Sequence, residues 1–144
     1  MNVRARRFFA LSAVVAWAAA GGGCEQGAEA GQDAEGTGKE RPVAVVEMTP
    51  ANTFEPRVVT IRVGQTVLWR NASSRPHTVS TDAAGAANPR NAEVPPPARP
   101  FSSGDVPPGG TYAQTFTVPG FYRYYCAHHE REGMTGTVAV MAAE

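Results

Sequence analysis

The chain has 144 residues, of which 13 are basic and 13 acidic, so its formal net charge at pH 7 is zero. A chain of this length is expected to form one domain, large enough to bury a hydrophobic core without staples. The charges lack the clustered basic face that nucleic-acid binding requires, so no nucleic-acid partner is expected.

Residues 1–23 have the pattern of a signal peptide. Arg4, Arg6 and Arg7 supply a basic start, and an apolar run of 13 residues follows at positions 8–20. The run is too short to span a bilayer comfortably, but it has the usual length of the hydrophobic part of an export signal. We therefore expect the protein to leave the cytoplasm.

Cys24 follows this segment directly, after three glycines. The arrangement resembles a bacterial lipoprotein cleavage site, where the cysteine becomes the lipidated N-terminus of the mature protein. Gly21 departs from that pattern, which usually has an aliphatic residue at this place. The alternative is an ordinary secretory signal cleaved near Ala20, with Cys24 left as a spare thiol. We expect the lipoprotein, with lipidation at Cys24.

Residues 24–41 form the lipidated cysteine and a flexible acidic tether in this interpretation. Positions 25–40 contain five acids, one lysine and no aliphatic side chain larger than alanine, which gives a net charge of −4. Such a segment cannot bury enough apolar surface to order itself. We therefore expect an extracytoplasmic domain tethered to a membrane, in the periplasm or at the outer face of the cell membrane.

Residues 42–144 read as an all-β domain. Short runs rich in β-branched and aromatic residues are separated by Gly, Pro and Asn, which is typical of an antiparallel sandwich or barrel. No stretch of this body has the period of a helix. The expected extended segments are 43–48, 57–63, 66–70, 77–81, 101–106, 111–118, 121–126 and 136–141.

The segment 82–100 is the least regular part of this domain. Its first half is rich in Ala and Gly, and Pro95-Pro96-Pro97 is expected to be a stiff, extended piece on the surface. We expect an insertion loop here rather than core, with a short helix as the alternative.

A candidate metal site lies in the loop after the segment 121–126. Cys126, His129 and Met134 offer a thiolate, an imidazole three residues on and a thioether eight residues on. A cysteine sulfur, two histidine nitrogens and a weak methionine ligand define a mononuclear electron-transfer copper site. The second histidine must come from elsewhere, and His77 lies upstream. Each residue alone has an ordinary structural explanation, but together they predict a copper site.

The sequence around these residues resembles the plastocyanin/pseudoazurin group of small blue copper proteins, the cupredoxins. The motif Cys-x-x-His-x-x-x-x-Met lies between Pro-Gly-Phe-Tyr-Arg-Tyr-Tyr and Gly-Thr-Val-Ala-Val, and the similarity covers roughly residues 43–141. The resemblance implies a Greek-key β-sandwich or barrel of about seven or eight strands. It also implies one type 1 copper per chain, held by His77, Cys126, His129 and Met134.

Two adjacent histidines compete for one ligand position. The resemblance selects His129 and places His128 where the family usually has proline, so a second titratable ring would lie near the copper. It also implies that His129 is the partly exposed ligand through which electrons pass. Thr78 occupies a position where plastocyanins often have an asparagine that braces the loop after the cysteine. With threonine at this position, the resemblance implies a brace that is weaker or differently made.

Three side chains next to the candidate ligands have no role that the motif assigns. Tyr125, just before the cysteine, is either a second electron route by resemblance or a surface tyrosine of a strand. Glu130 and Glu132 are expected to be solvated loop charges rather than functional groups.

We expect an electron carrier rather than an enzyme. Multicopper oxidases and nitrite reductases need further copper bound mostly by histidine, and only His128 remains after His77 and His129. The alternative is a module for copper storage or delivery. A disulfide between Cys24 and Cys126 would remove the site and is disfavoured, since each cysteine belongs to its own motif. The expected partners are transient redox proteins, an electron donor and an acceptor, and the expected state is a monomer.

Overall fold

A computed structural model describes residues 41–143. The expected signal peptide, Cys24 and almost all of the expected tether lie outside the described residues. Within the described part, no helix has the length and apolar character needed to cross a bilayer.

Within residues 41–143, seven strands form two sheets that pack face to face. One sheet has the order β2-β1-β4-β5 and the other has the order β3-β7-β6. The all-β sandwich expected from the sequence is therefore confirmed. The strands are β1 Ala44–Met48, β2 Phe54–Glu55, β3 Val58–Arg62, β4 Thr66–Asn71, β5 Thr111–Thr115, β6 Gly120–Tyr125 and β7 Thr135–Met141.

Two of the strand pairs are parallel, which corrects the expectation of a purely antiparallel sheet. β1 pairs with β4 in parallel, and β3 pairs with β7 in parallel, whereas the other three pairs are antiparallel. The alternation of apolar residues shows which face of a strand is buried, but it carries no information on strand direction. Here β3 joins the second sheet before the chain returns to the first as β4, so the strands of the two parallel pairs are not consecutive in the chain.

Two expected extended segments, 77–81 and 101–106, are not regular strands. They make only isolated bridges, which pair His77 with Val106 and Ser80 with both Ser102 and Tyr125. These bridges connect the segment that carries His77 to β6, which ends beside Cys126. The segment 77–81 therefore joins β6 to the segment 101–106.

The segment 82–100 is an irregular loop, as expected, and the alternative of a short helix is not needed to describe it. Its only helical residues are the single 3-10 turn Pro89–Asn91. Glu93 pairs with Arg123 through two backbone hydrogen bonds of 3.0 and 3.1 Å, so the loop is attached to β6. The three prolines are not extended: Ala98 N–H donates to Pro95 O at 2.8 Å and closes a turn.

The core between the sheets is dominated by aromatic rings. Trp69 on β4 and Phe54 on β2 both make edge contacts with Tyr124 on β6, with ring centroids 5.3 and 4.8 Å apart. Gly136 on β7 lies against the same tyrosine, and a Cβ added there would come within 2.4 Å of its hydroxyl oxygen. Only glycine allows β7 to approach the ring this closely, which fixes the strand that follows the metal loop.

Candidate metal centre

Three buried side chains converge at one end of the sandwich. Cys126 Sγ lies 3.6 Å from His77 Nδ1 and 3.5 Å from His129 Nδ1. One potential ligand atom from each of the three residues lies within 4.8 Å of the others. His77 is fully buried, while His129 keeps 9% of its surface exposed. The structure thus brings together three of the four side chains that the sequence singled out.

Backbone hydrogen bonds close the loop that carries these residues. His129 N–H donates to Cys126 O at 3.1 Å, Met134 N–H donates to His129 O at 3.2 Å, and Cys126 N–H donates to Met134 O at 3.1 Å. The three residues are therefore linked pairwise through their main chains. The turn between them ends at Gly133, whose φ of 90° is in the left-handed region that glycine adopts without strain.

Met134 is fully buried at the end of this closed loop. The structure places it beside Cys126 through the main chain, and its role as the fourth ligand stays a prediction. The same holds for the roles of His77, Cys126 and His129 as ligands, although their donor atoms are gathered in one place.

Thr78 supplies the brace that an asparagine would otherwise make. Its Oγ1 accepts a hydrogen bond of 2.7 Å from Ala127 N–H, and its own N–H points to Cys126 Sγ at 3.4 Å. The brace is therefore differently made, as the sequence suggested.

The remaining nitrogen of His77 also has a buried partner. Ser73 Oγ lies 2.9 Å from His77 Nε2, and it can donate to Asn71 Oδ1 at 2.8 Å. With the serine proton directed to Asn71, Ser73 accepts from Nε2–H, which leaves the lone pair of Nδ1 for a metal. Sequence reasoning missed both residues. The spacing Asn71-x-Ser73 before a turn is a signal for a side chain that organises its own loop.

The environment of His77 favours the neutral imidazole. Burial lowers its pKa below the ordinary value of 6.5, and the neighbouring His129, His128 and Arg75 lower it further. A neutral ring is the form that binds a metal, because protonation would occupy the lone pair.

The donor set fits copper. A thiolate and a thioether suit Cu(I), imidazole nitrogens suit both oxidation states, and methionine is a poor ligand for zinc. The three clustered residues are buried and come from two separate loops, so a bound ion would be shielded from solvent on most sides.

His128 is not part of the cluster. Its side chain is 43% exposed, and its Nε2 lies 2.6 Å from Asp105 Oδ1. Its ring centroid is 6.1 Å from that of His129. The structure therefore favours His129, as the resemblance did, and places His128 beside the centre at the surface.

Glu130 is buried, which corrects the expectation of a solvated charge. It is 7% exposed, and its carboxylate accepts hydrogen bonds from Ala87 N–H, Asn88 N–H and Asn91 Nδ2–H at 2.7–3.0 Å. Burial raises the pKa of Glu130, but these three donors and the charge of Arg131 outweigh it, so the pKa lies below the ordinary value of 4.5. Glu130 therefore ties the metal loop to the segment 82–100.

Glu132 is exposed, as expected, although its carboxylate is not free. Its Oε2 accepts a hydrogen bond of 2.7 Å from Asn52 Nδ2–H. This bond connects the turn of the metal loop to the turn between β1 and β2.

Tyr125 is also buried, so its interpretation as a surface tyrosine is wrong. Only 2% of it is exposed, and its hydroxyl donates to Asp82 O at 2.9 Å. The start of the segment 82–100 packs against this residue. The alternation of residues along β6 could not predict this burial, because the contact comes from a loop and not from a neighbouring strand. Its role as an electron route stays untested.

Comparisons with known proteins agree with this site. Residues 43–141 match the family of copper binding proteins described as plastocyanin/azurin. The chain is 37% identical to plastocyanin of Scenedesmus fuscus over 92 residues, which cover 62% of this chain and 88% of that protein. It is 35% identical to chloroplastic plastocyanin of Tetradesmus obliquus, again over 62% of this chain but only 59% of that longer protein.

Solved structures give the same result for the fold. The Cu(I) form of a methionine-to-alanine mutant of amicyanin superposes with a TM-score of 0.54 at 26% identity, covering 71% of this chain and 85% of that one. An oxidised methionine-to-leucine mutant of amicyanin gives a TM-score of 0.52 over 68% of this chain and 81% of that one. The chain therefore shares both sequence and fold with proteins that hold copper.

Replacing the serine behind His77 tests whether it orients that ring. In Ser73→Ala, the proton on Nε2 loses its acceptor, and we expect copper affinity to fall by about tenfold to a hundredfold. Affinity is measured by competition with a Cu(I) chelator. Ser74→Ala is the matched control, since Ser74 is the exposed neighbour and is expected to leave affinity unchanged. Equal affinity of both variants and the parent would contradict the orienting role.

The buried carboxylate predicts a specific pH dependence of stability. Because the folded-state pKa of Glu130 lies below 4.5, its stabilising effect is present above that pH and is lost as pH falls through the folded-state pKa. In metal-free protein, Glu130→Gln should reduce the free energy of unfolding at pH 7 by about 1–3 kcal/mol, because the amide cannot accept all three donors.

Denaturant titrations at pH 7 and below pH 4 measure this difference. The gap between Glu130→Gln and the parent should narrow in acid, because the parent carboxylate gains a proton as pH falls through its folded-state pKa. Glu55→Gln, at an exposed position of β2, serves as the control and should show no such gap. A gap for Glu130→Gln that is the same at both pH values would refute the charged network.

Proposed function

Because this chain belongs to the plastocyanin/azurin family of copper-binding proteins, we propose that it is an electron carrier with one type 1 copper. The observation that carries the proposal is the buried cluster of Cys126 Sγ and the Nδ1 atoms of His77 and His129. We assign these three residues and Met134 as the ligands. Copper in such a site supplies a one-electron change between Cu(I) and Cu(II).

The chain's contribution is to keep the donor atoms in one arrangement. Hydrogen bonds fix the loop at Thr78, between Cys126 and Met134, and at Glu130. If neither oxidation state requires the ligands to move, little reorganisation accompanies the transfer. Rigid support of this kind is what a site built on strands and short closed loops provides.

His129 is the proposed point of electron exit and entry. It is the only one of the four assigned ligands that retains solvent exposure, at 9% against 0% for the other three. Its chain neighbours line a cleft together with the start of the segment 82–100; the lining combines small side chains (Ala86, Ala87, Ala127) with His128 and the charged Glu130, Arg131 and Glu132. A partner could therefore approach closely and leave again, which suits transient redox partners.

We further propose that the carrier works outside the cytoplasm, held to a membrane by a lipid on Cys24. The support is the order of a basic start, a short apolar run and three glycines before Cys24. In this arrangement, residues 24–41 are the tether and residues 42–144 are the copper domain, acting as a monomer.

We propose a carrier and not an enzyme. Within residues 41–143, the only cluster of histidine, cysteine and acidic side chains suited to a metal is the one described. Copper storage or delivery is a second function that would use the same donor atoms. The visible spectrum of the copper-loaded protein distinguishes it from electron transfer.

A visible spectrum of the full chain loaded with Cu(II) is the direct test of the centre. A thiolate ligand should give an intense blue charge-transfer band that ascorbate bleaches, and Cys126→Ser should lack the band. His128→Ala is the matched control and should keep it, because His128 lies outside the cluster. A colourless protein that still binds Cu(I) tightly would favour storage or delivery, and absence of copper binding would refute both functions.

The anchor is tested by mass spectrometry of the mature N-terminus after expression in a bacterial host. We expect an N-terminal peptide that begins at Cys24 and carries the mass of a diacylglyceryl group, and Cys24→Ser should lose incorporation of labelled fatty acid. Cys126→Ser, the other cysteine variant, should retain the label. An unmodified N-terminus near Gly21 would instead establish an ordinary secretory signal.

A further inference from the structure

A cleft beside the start of β7 is surrounded by arginines. Its volume is about 330 Å³, and it is lined by Arg57, Arg90 and Arg123 together with Asn91, Thr135 and Thr137. The three arginines come from three separate parts of the chain: the residue before β3, the turn Pro89–Asn91 and β6. The fold has therefore gathered three cations at one cleft.

Hardly any negative charge compensates them. Among residues 41–143, the acidic partner recorded for this group is Glu93, whose Oε2 lies 3.3 Å from Arg123 Nε. Arg57 and Arg90 make no ion pair with the described residues. The three arginines and Glu93 thus leave a local charge of about +2 around one cavity, which attracts anions.

The cleft is built on rigid elements. Arg57 Nη2 donates to Thr135 Oγ1 at 2.7 Å, and Thr137 N–H donates to Arg57 O at 2.9 Å. Arg123 lies directly across from Thr137 in the pairing of β6 with β7. The backbones of two arginines are therefore fixed to the same short stretch of β7, and the guanidinium group of Arg57 is held there by its bond to Thr135.

We propose that this cleft is a binding site for a phosphate dianion, either free or as the terminal group of a phosphate ester. Guanidinium groups bind phosphate oxygens in pairs of parallel hydrogen bonds. A phosphate offers three or four oxygens and can meet three guanidinium groups at once, whereas a single carboxylate offers two. The hydroxyls and amide that line the cleft supply further polar contacts. The site does not depend on copper.

Isothermal titration calorimetry on the full chain in nonionic detergent tests the proposal, with ionic strength held constant by NaCl. Inorganic phosphate is expected to bind saturably with one site per chain. Arg57→Gln and Arg90→Gln should each weaken binding by about tenfold, as expected for the loss of a charge-assisted pair. Arg99→Gln removes the same charge from an arginine that lines a different cavity, and it should leave the affinity unchanged.

Two further titrations test whether the site requires a dianion. Glycerol 3-phosphate presents a dianionic monoester, and glycerophosphoglycerol presents the monoanionic diester of a lipid headgroup without acyl chains. Preference for the monoester supports the proposed dianion, and equal binding of the diester would contradict it, because a diester has one charge and only two free oxygens.

Two other results would also overturn the proposal. One is the absence of saturable heat with inorganic phosphate. The other is an equal loss of affinity in Arg57→Gln and Arg99→Gln, which would mean that only the overall charge matters. A thermal scan of each variant with and without phosphate accompanies the titrations, since a ligand that binds the folded state raises the unfolding temperature. A rise in the parent and in Arg99→Gln, but not in Arg57→Gln, is the expected result.

Discussion

The position of one sulfur atom constrains most of the structure. Cys126 lies where β6 leaves its sheet, and His77, whose Nδ1 is 3.6 Å from the sulfur, is 49 residues away in the chain. The irregular segment 77–81 brings them together, because its bridges reach both Val106 and Tyr125. Thr78, in the middle of this connection, donates to the sulfur and accepts from the residue after it. The two sheets, the segment 77–81 and the loop from Cys126 to Met134 together define the metal centre.

Much of this was readable in the sequence, for physical reasons. A half-buried strand repeats every two residues, so Val59 and Ile61, or Tyr122 and Tyr124, reveal their common face. The candidate ligands were recognisable because a thiol, an imidazole and a thioether at short spacing have no simple structural explanation together. Strand direction and the two-residue strand β2 were not readable, since neither leaves a periodic signal.

The polar residues around the centre were missed or misjudged for a different reason. Glu130 looks solvated in a sequence that reads His-Glu-Arg-Glu, and only the arrival of Ala87, Asn88 and Asn91 makes it a buried acceptor. Tyr125 is covered in the same way by the region of Asp82. The environment of both side chains is created by a loop whose own path no local pattern encodes. An irregular insertion is thus the hardest part to predict and the part that most changes its neighbours.

That insertion is better understood as part of the centre than as an addition to the sandwich. The segment 82–100 is joined to Tyr125, to Glu130 and, through Glu93, to Arg123 on β6. Asn91 belongs to both of the sites described, since its amide donates to Glu130 and its side chain lines the arginine cleft. The cleft and the metal loop therefore share a support although they have different chemistry. A displacement of the turn Pro89–Asn91 would disturb both the buried carboxylate of Glu130 and the arginines of the cleft. The rigidity of the metal loop and the shape of the cleft therefore depend on the same few hydrogen bonds.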